Sequence, residues 1–148
     1  MKDRKLLMIP GPIEFETEVL QALGAPTTSH VDPSFIEAFG QSLEDMLEVF
    51  GCKDGQAFIL AGSGTLGMDT SVVNLVEAGD KALVINTGYF GDRMGVILDR
   101  YGVEVSHVRG EIGSQPSLEE VEAALAKDKY KLVTITQVDT STAVLADV

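Results

Sequence analysis

Apolar positions fall into two patterns along this chain, and each pattern predicts a different kind of element. Steps of three and four residues link Phe35, Ile36, Phe39, Leu43, Met46, Leu47 and Phe50, which predicts an amphipathic helix over 33–50, closed by Gly51, with its aromatic stripe in the core. Asp32-Pro33 suits its start as an N-cap followed by proline at the first helical position. The same step predicts a short helix over 16–23 with Val19, Leu20 and Leu23 on one face, stopped by Gly24-Ala25-Pro26. It predicts another over 66–76 with Val72, Val73, Leu75 and Val76 inward. A further helix is expected over 92–100, carrying Met94, Val96, Ile97 and Leu98, after a turn at 87–91. Ser117-Leu118-Glu119-Glu120 has capping-box spacing and opens a helix over 118–126 with Val121 and Leu125 inward.

Continuous apolar runs predict strands instead. Residues 57–61, 82–86 and 132–136 have the length and composition of strands buried in a parallel sheet, while 103–108 alternates as an edge strand with His107 at the surface. Leu6-Leu7-Met8-Ile9 before Pro10-Gly11-Pro12 reads as an extended arm. Strand and helix signals alternate at least three times, which is the signature of β-α-β units: the fold class is α/β, a mostly parallel sheet flanked by helices.

Composition narrows the function classes. The 148 residues are 45% hydrophobic, enough for a sizeable core, and carry a formal charge of −12. That balance argues against nucleic acid and anionic membrane as partners. No apolar run reaches spanning length, and the basic start at 1–5 is followed by too few apolar residues for a signal peptide. With a lone cysteine, Cys52, no intramolecular disulfide is available and a cytoplasmic setting is expected, with a peroxisomal or mitochondrial one still open. Cys52 has no base beside it in sequence and reads as a turn or core residue; His30 reads as a solvated or capping residue. The acidic residues Glu111, Glu119, Glu120 and Glu122 read as solvated faces rather than a catalytic pair.

The candidate chemistry gathers at Gly62-Ser63-Gly64-Thr65-Leu66-Gly67, between an apolar run and a helix. Unpaired N–H groups at a helix start, close main-chain approach at glycine and the positive end of the helix dipole together suit a phosphate. Ligands of open parallel sheets bind beyond the carboxyl ends of the strands, where Tyr89-Phe90 and Thr140-Ser141-Thr142 would supply an aromatic face and hydroxyls for a small phosphorylated ring. Gly62-x-Gly64-x-x-Gly67 also matches a dinucleotide fingerprint, but the strand where an acidic ribose ligand belongs ends at Asn86.

Four blocks, in order and spacing, resemble the class V pyridoxal-phosphate aminotransferases, the fungal type of alanine:glyoxylate (serine:pyruvate) enzyme above all. They are Leu7-x-Ile9-Pro10-Gly11-Pro12, Ala61-Gly62-Ser63-Gly64-Thr65-Leu66-Gly67, Phe90-Gly91-Asp92-Arg93 and Val138-Asp139-Thr140-Ser141-Thr142-Ala143-Val144-Leu145. The resemblance implies pyridoxal 5'-phosphate as cofactor and part of a fold-type I large domain, with 1–32 as entry arm and short helix and 33–148 as its amino-terminal part. It implies that Ser63, Gly64 and Thr65 bind the coenzyme phosphate, that Phe90 stacks on the ring, that Thr140 lies beside the ring, and that Gly11 borders the substrate. Ala143 stands where many relatives have glycine. An amino acid and a 2-oxo acid are the implied small-molecule partners, and a homodimer the implied assembly. None of the seven lysines sits in the family's Schiff-base motif, so that lysine, the pyridine-nitrogen aspartate and the carboxylate-binding arginine are expected beyond Val148. The competing readings are a desulfurase or lyase of the same superfamily, a non-catalytic dimerisation fragment, and a dinucleotide-binding oxidoreductase domain.

Overall fold

The computed structural model describes residues 5–148; the basic start at residues 1–4 lies outside them. By contact density the chain divides into two units, Phe15–Gly62 and a larger one combining the described part of Met1–Glu14 with Ser63–Val148.

The smaller unit holds α1 (Thr17–Leu23) and α2 (Pro33–Val49). Asp32 caps α2 as its spacing predicts, its carboxylate accepting from the Ser34 N–H at 2.9 Å with Pro33 in the first turn. Gly51 takes a φ of +61° after the helix. The aromatic stripe is not core: α2 has no buried residue, Phe35 and Phe39 stack on each other with centroids 5.9 Å apart, and Phe50 is 77% exposed. Helical spacing establishes that a face is apolar; it does not supply the surface that covers it. Residues 57–61 correct a second expectation, because they form no strand. A strand needs a neighbour to take its main-chain groups, and this run has no ladder partner among the described residues. Cys52 lies in the turn after α2, as its spacing suggests, but exposed rather than in a core.

In the larger unit a three-stranded parallel sheet runs in the order β2-β1-β3, with β1 Lys81–Asn86, β2 Glu104–Arg109 and β3 Leu132–Ile135. The helices are α3 (Gly64–Leu75), α4 (Tyr89–Arg100) and α5 (Leu118–Leu125). A short antiparallel hairpin, β4 (Val138–Asp139) and β5 (Val144–Leu145), follows β3 and was not legible as strands.

Side chains alternate across β1, and both sides are covered, since Ala82, Leu83 and Val84 are all buried. Ala82 and Val84 join Val72 and Val76 of the α3 segment and Ile97, Leu98 and Val103 in one cluster, with Met68, Met94, Val105 and Leu132 packed against it. On the other side Ile85 lines a cavity together with Val121 and Leu118 of α5. Val73, Leu75 and Leu125, expected inward, are exposed instead; Ala124 is the buried residue of α5. The capping box at Ser117 and Glu120 forms with both of its reciprocal bonds.

Since β2 and β3 lie on opposite sides of β1, the strand order switches at β1, and the carboxyl ends of these strands are where ligands of such sheets bind.

Candidate functional site

Gly11, Ser63, Gly64, Thr65, Phe90 and Thr140, the residues expected to hold coenzyme or substrate, all belong to the larger unit. Beyond Asn86, at the end of β1, the chain turns at Thr87-Gly88 and enters α4 directly. Tyr89 and Phe90 are therefore the first helical turn, not part of a preceding loop. The N-cap, Gly88, has no side chain to offer, and the start of α4 is satisfied from far along the chain. The Asp139 carboxylate, fully buried, accepts from the Phe90 N–H at 2.9 Å and the Gly91 N–H at 3.4 Å. Ser141 Oγ accepts from the Tyr89 N–H at 2.9 Å while donating to Asp139 Oδ1 at 2.6 Å. From β1, Asn86 Oδ1 accepts from the Gly88 N–H at 3.0 Å, and its Nδ2 donates to Asp92 at 2.9 Å. Thr142 Oγ1 donates to the Thr87 carbonyl at 2.8 Å.

This latch sets one wall of a cleft of about 330 Å³, lined by Gly64, Met68, Phe90, Met94, Ile135, Thr136, Val138 and Thr140. Three sequence-singled residues from three separate motifs, Gly64, Phe90 and Thr140, thus share one cavity. Gly11 adjoins it: a Cβ there would stand 3.3 Å from Thr140 Oγ1. Ser63 is the N-cap of α3 in extended conformation, its hydroxyl making no capping bond, and its carbonyl accepts from the Leu66 N–H at 2.9 Å. Among the described residues no bond is made by the N–H groups of Gly64 and Thr65. A Cβ on Gly64 would meet nothing within 4 Å, so packing inside the chain does not require glycine there.

Thr65 faces a neighbouring cleft with Tyr89 and Arg93. Arg93 donates to Thr65 Oγ1 at 2.9 Å and to the Tyr89 hydroxyl, and its guanidinium lies 5.0 Å from the centre of the Tyr89 ring. Because the Thr65 oxygen already accepts from Arg93, its own O–H remains available to donate. Asp139, Asn86, Met68, Met94 and Arg93 were not singled out from the sequence as site residues; Ser141 was, as one of three hydroxyls for the ring, and the structure spends its hydroxyl on Tyr89 and Asp139 instead. Asp139 and Arg93 stood inside quoted motifs, which was the available signal.

His107, on edge strand β2, is exposed, as expected of an edge position, and its imidazole still finds partners. Its Nδ1 lies 3.3 Å from Asn86 Nδ2, and a Cβ on Gly95 would come within 2.6 Å of its Nε2. Both faces of the Asn86 amide are assigned by their other partners, so Nδ2 is a donor and Nδ1 has to be the acceptor, which is the neutral imidazole. Partial burial, then the Arg109 charge, hold the imidazole below its ordinary pKa, against an opposing pull from Asp92. A depressed folded value means the unfolded chain binds the extra proton first. The stability His107 contributes is therefore present above about pH 6.5 and is lost as pH falls through the folded value. Urea midpoints measured between pH 8 and 5 are expected to fall over that range, and to fall less in His107→Gln. Equal slopes in both proteins would contradict this assignment. Asp92 titrates lower still, since its bonds from Arg109 and then Asn86 hold its carboxyl below the usual range.

No protein-family model matches the chain. Alanine--glyoxylate aminotransferase 1 of Saccharomyces cerevisiae is 42% identical over 148 residues, an alignment covering 95% of this chain and 38% of the yeast protein. Its homologues are alanine–glyoxylate aminotransferases and related class V aminotransferases. The solved ureidoglycine-glyoxylate aminotransferase of Bacillus subtilis superposes with a TM-score of 0.85 at 27% identity, covering 99% of this chain and 39% of that one. The alanine--glyoxylate aminotransferase of Nostoc sp. gives 0.82 at 29% identity, covering 96% of this chain and 38% of its own. The aminotransferase fold is thus shared, and this chain spans about two fifths of the length of the class V relatives it matches. The dinucleotide and non-catalytic readings are not favoured by these relatives. Among the described residues no helix is long and apolar enough to cross a membrane.

Proposed function

We propose that this chain is the coenzyme-anchoring part of a pyridoxal-phosphate-dependent aminotransferase that converts glyoxylate to glycine with alanine or serine as amino donor. What carries the reading is the shared cleft of Gly64, Phe90 and Thr140, three residues far apart in sequence. In this reading Ser63, Gly64 and Thr65 hold the coenzyme phosphate through main-chain N–H groups and hydroxyls. Phe90 stacks on the pyridine ring, Thr140 donates beside it, and Gly11 borders the substrate. Residues 33–148 contribute to the large domain and 1–32 form the entry arm and short helix. The bound coenzyme supplies an electron sink for the carbanion left when the donor loses its α-proton. None of this chain's own lysines is assigned the linking role in this reading. The enzyme works as a homodimer in the cytoplasm.

The residues present fit such a group. A chain of net charge −12 offers an anion no general attraction, so retention has to be local. The N–H groups at the start of α3 and the Ser63 hydroxyl, unbonded among the described residues, and the Thr65 O–H are donors of that kind.

Gly64→Ala separates function from fold. With open space at the new Cβ, and alanine favoured over glycine in a helix, stability is expected to hold or rise by up to about 1 kcal/mol. Affinity for pyridoxal 5'-phosphate, measured by equilibrium dialysis, is expected to fall roughly tenfold because the methyl group blocks close approach to the main chain. Unchanged affinity would overturn the phosphate assignment. Mixed with pyridoxal phosphate, alanine and glyoxylate, this chain alone is expected to form no pyruvate; measurable turnover would refute the division of labour proposed here.

A further inference from the structure

We propose that Asp139 is the positioning residue that sets the coenzyme-ring slot, by fixing Phe90 on one wall against Thr140 on the other. This rests on the coenzyme reading above and assigns a role to a buried carboxylate that reading leaves idle. One oxygen of Asp139 takes the N–H of Phe90 itself, at 2.9 Å, and of Gly91, at 3.4 Å. The other takes the N–H of Ser141 at 3.0 Å and its hydroxyl at 2.6 Å. Ser141 completes the bridge by accepting from Tyr89. All three N–H groups of the first turn of α4 are therefore held by one turn of the β4–β5 hairpin, the turn that also carries Thr140. Two elements whose residues are 49 positions apart are locked with their faces toward one cavity. The Asp139 carbonyl, accepting from the Ala143 N–H at 2.8 Å and the Thr142 N–H at 3.2 Å, fixes the hairpin turn at the same point. The arrangement leaves no slack: a Cβ on Gly88 would come within 2.7 Å of the Asp139 carboxyl carbon and of Ser141 Oγ. A carboxylate is required because both of its oxygens face donors. Asparagine would turn an N–H₂ toward one of the two pairs and release that side only.

The phosphate donors lie on α3 and the ring wall on α4, so the two halves of the ligand report separately. Three probes suffice: pyridoxal 5'-phosphate, pyridoxal, which lacks the phosphate, and inorganic phosphate followed by phosphorus NMR. In Asp139→Asn, affinity for the two ring-bearing probes is expected to fall by the same factor, about five- to tenfold, with inorganic phosphate unchanged. Ser141→Ala, which removes the Tyr89 side of the bridge, is expected to show the same selectivity with a smaller loss, and serves if the asparagine variant does not fold. Near-ultraviolet circular dichroism of the bound ring should weaken in both. Loss of all three probes together, or of none, overturns the proposal, because a residue that merely holds the fold would not discriminate between ring and phosphate. If the unaltered chain binds phosphate but not pyridoxal, the ring slot is wrong while the phosphate reading stands; if it binds none of the three, both fall.

Discussion

Leu98→Ala is expected to lower the unfolding free energy by about 3 kcal/mol. Leu98 is fully buried in the cluster joining α3, α4 and the sheet, where Val72, Ala82, Val84, Ile97 and Val103 surround it. Removing its three outer carbons forfeits their transfer energy. It also leaves a void that a parallel strand on one side and a helix on the other cannot both close. For a chain of this length the melting temperature should drop by roughly 10 °C. Leu125→Ala is the control. From the sequence the two leucines look equivalent, each an inward position of an amphipathic helix, yet Leu125 is 42% exposed and its truncation is expected to cost less than about 1 kcal/mol. Urea unfolding of both variants checks the pair, and similar losses would show that the core is not centred on α4.

Gly91→Ala is expected to cost about as much by the opposite route, overpacking. The added Cβ would stand 2.7 Å from Cγ and Oδ1 of Asn86 and 3.1 Å from its Cα. The end of a flexible side chain could move aside cheaply; the backbone at the end of β1 cannot. Displacing the Asn86 amide also breaks its bonds to Gly88 and Asp92. Overpacking at one to a few kcal/mol, with those hydrogen bonds added, gives a loss of about 3 kcal/mol. As α4 would have to lift from β1, Phe90 would move with it, so coenzyme affinity should fall together with stability. Gly64→Ala is the informative contrast, since there affinity alone is expected to fall. A Gly91→Ala protein with native stability and native affinity would show that α4 is not held against β1 as described.

These glycines illustrate how far local sequence reaches. Gly64 was legible as a functional candidate because a helix-start pattern surrounds it. Gly91 was readable only as part of a quoted motif, and the reason for glycine there is contact with a residue five positions earlier on a different element. The turn assigned to Tyr89-Phe90 was misplaced for a related reason. With glycine as N-cap, nothing local marks the start of α4, whose capping groups come from Asp139 and Ser141. Arg93 likewise acquires a role only through its contact with Thr65 across two helices.

Periodicity and capping chemistry by themselves determined the α/β class, the helices read as 33–50 and 118–126 and found at 33–49 and 118–125 with their N-caps, the buried strand β1 and the edge strand. Each of these depends on interactions within a few residues or on the simple alternation of faces. Sequence motifs also nominated the residues that meet in the cleft. Tertiary structure alone decided which apolar faces are covered, that residues 57–61 form no strand, and that a carboxylate near the end of the chain organises the start of α4. The physical reason is the same in each case: burial, ladder pairing and capping at a distance depend on a partner that a one-dimensional pattern does not contain.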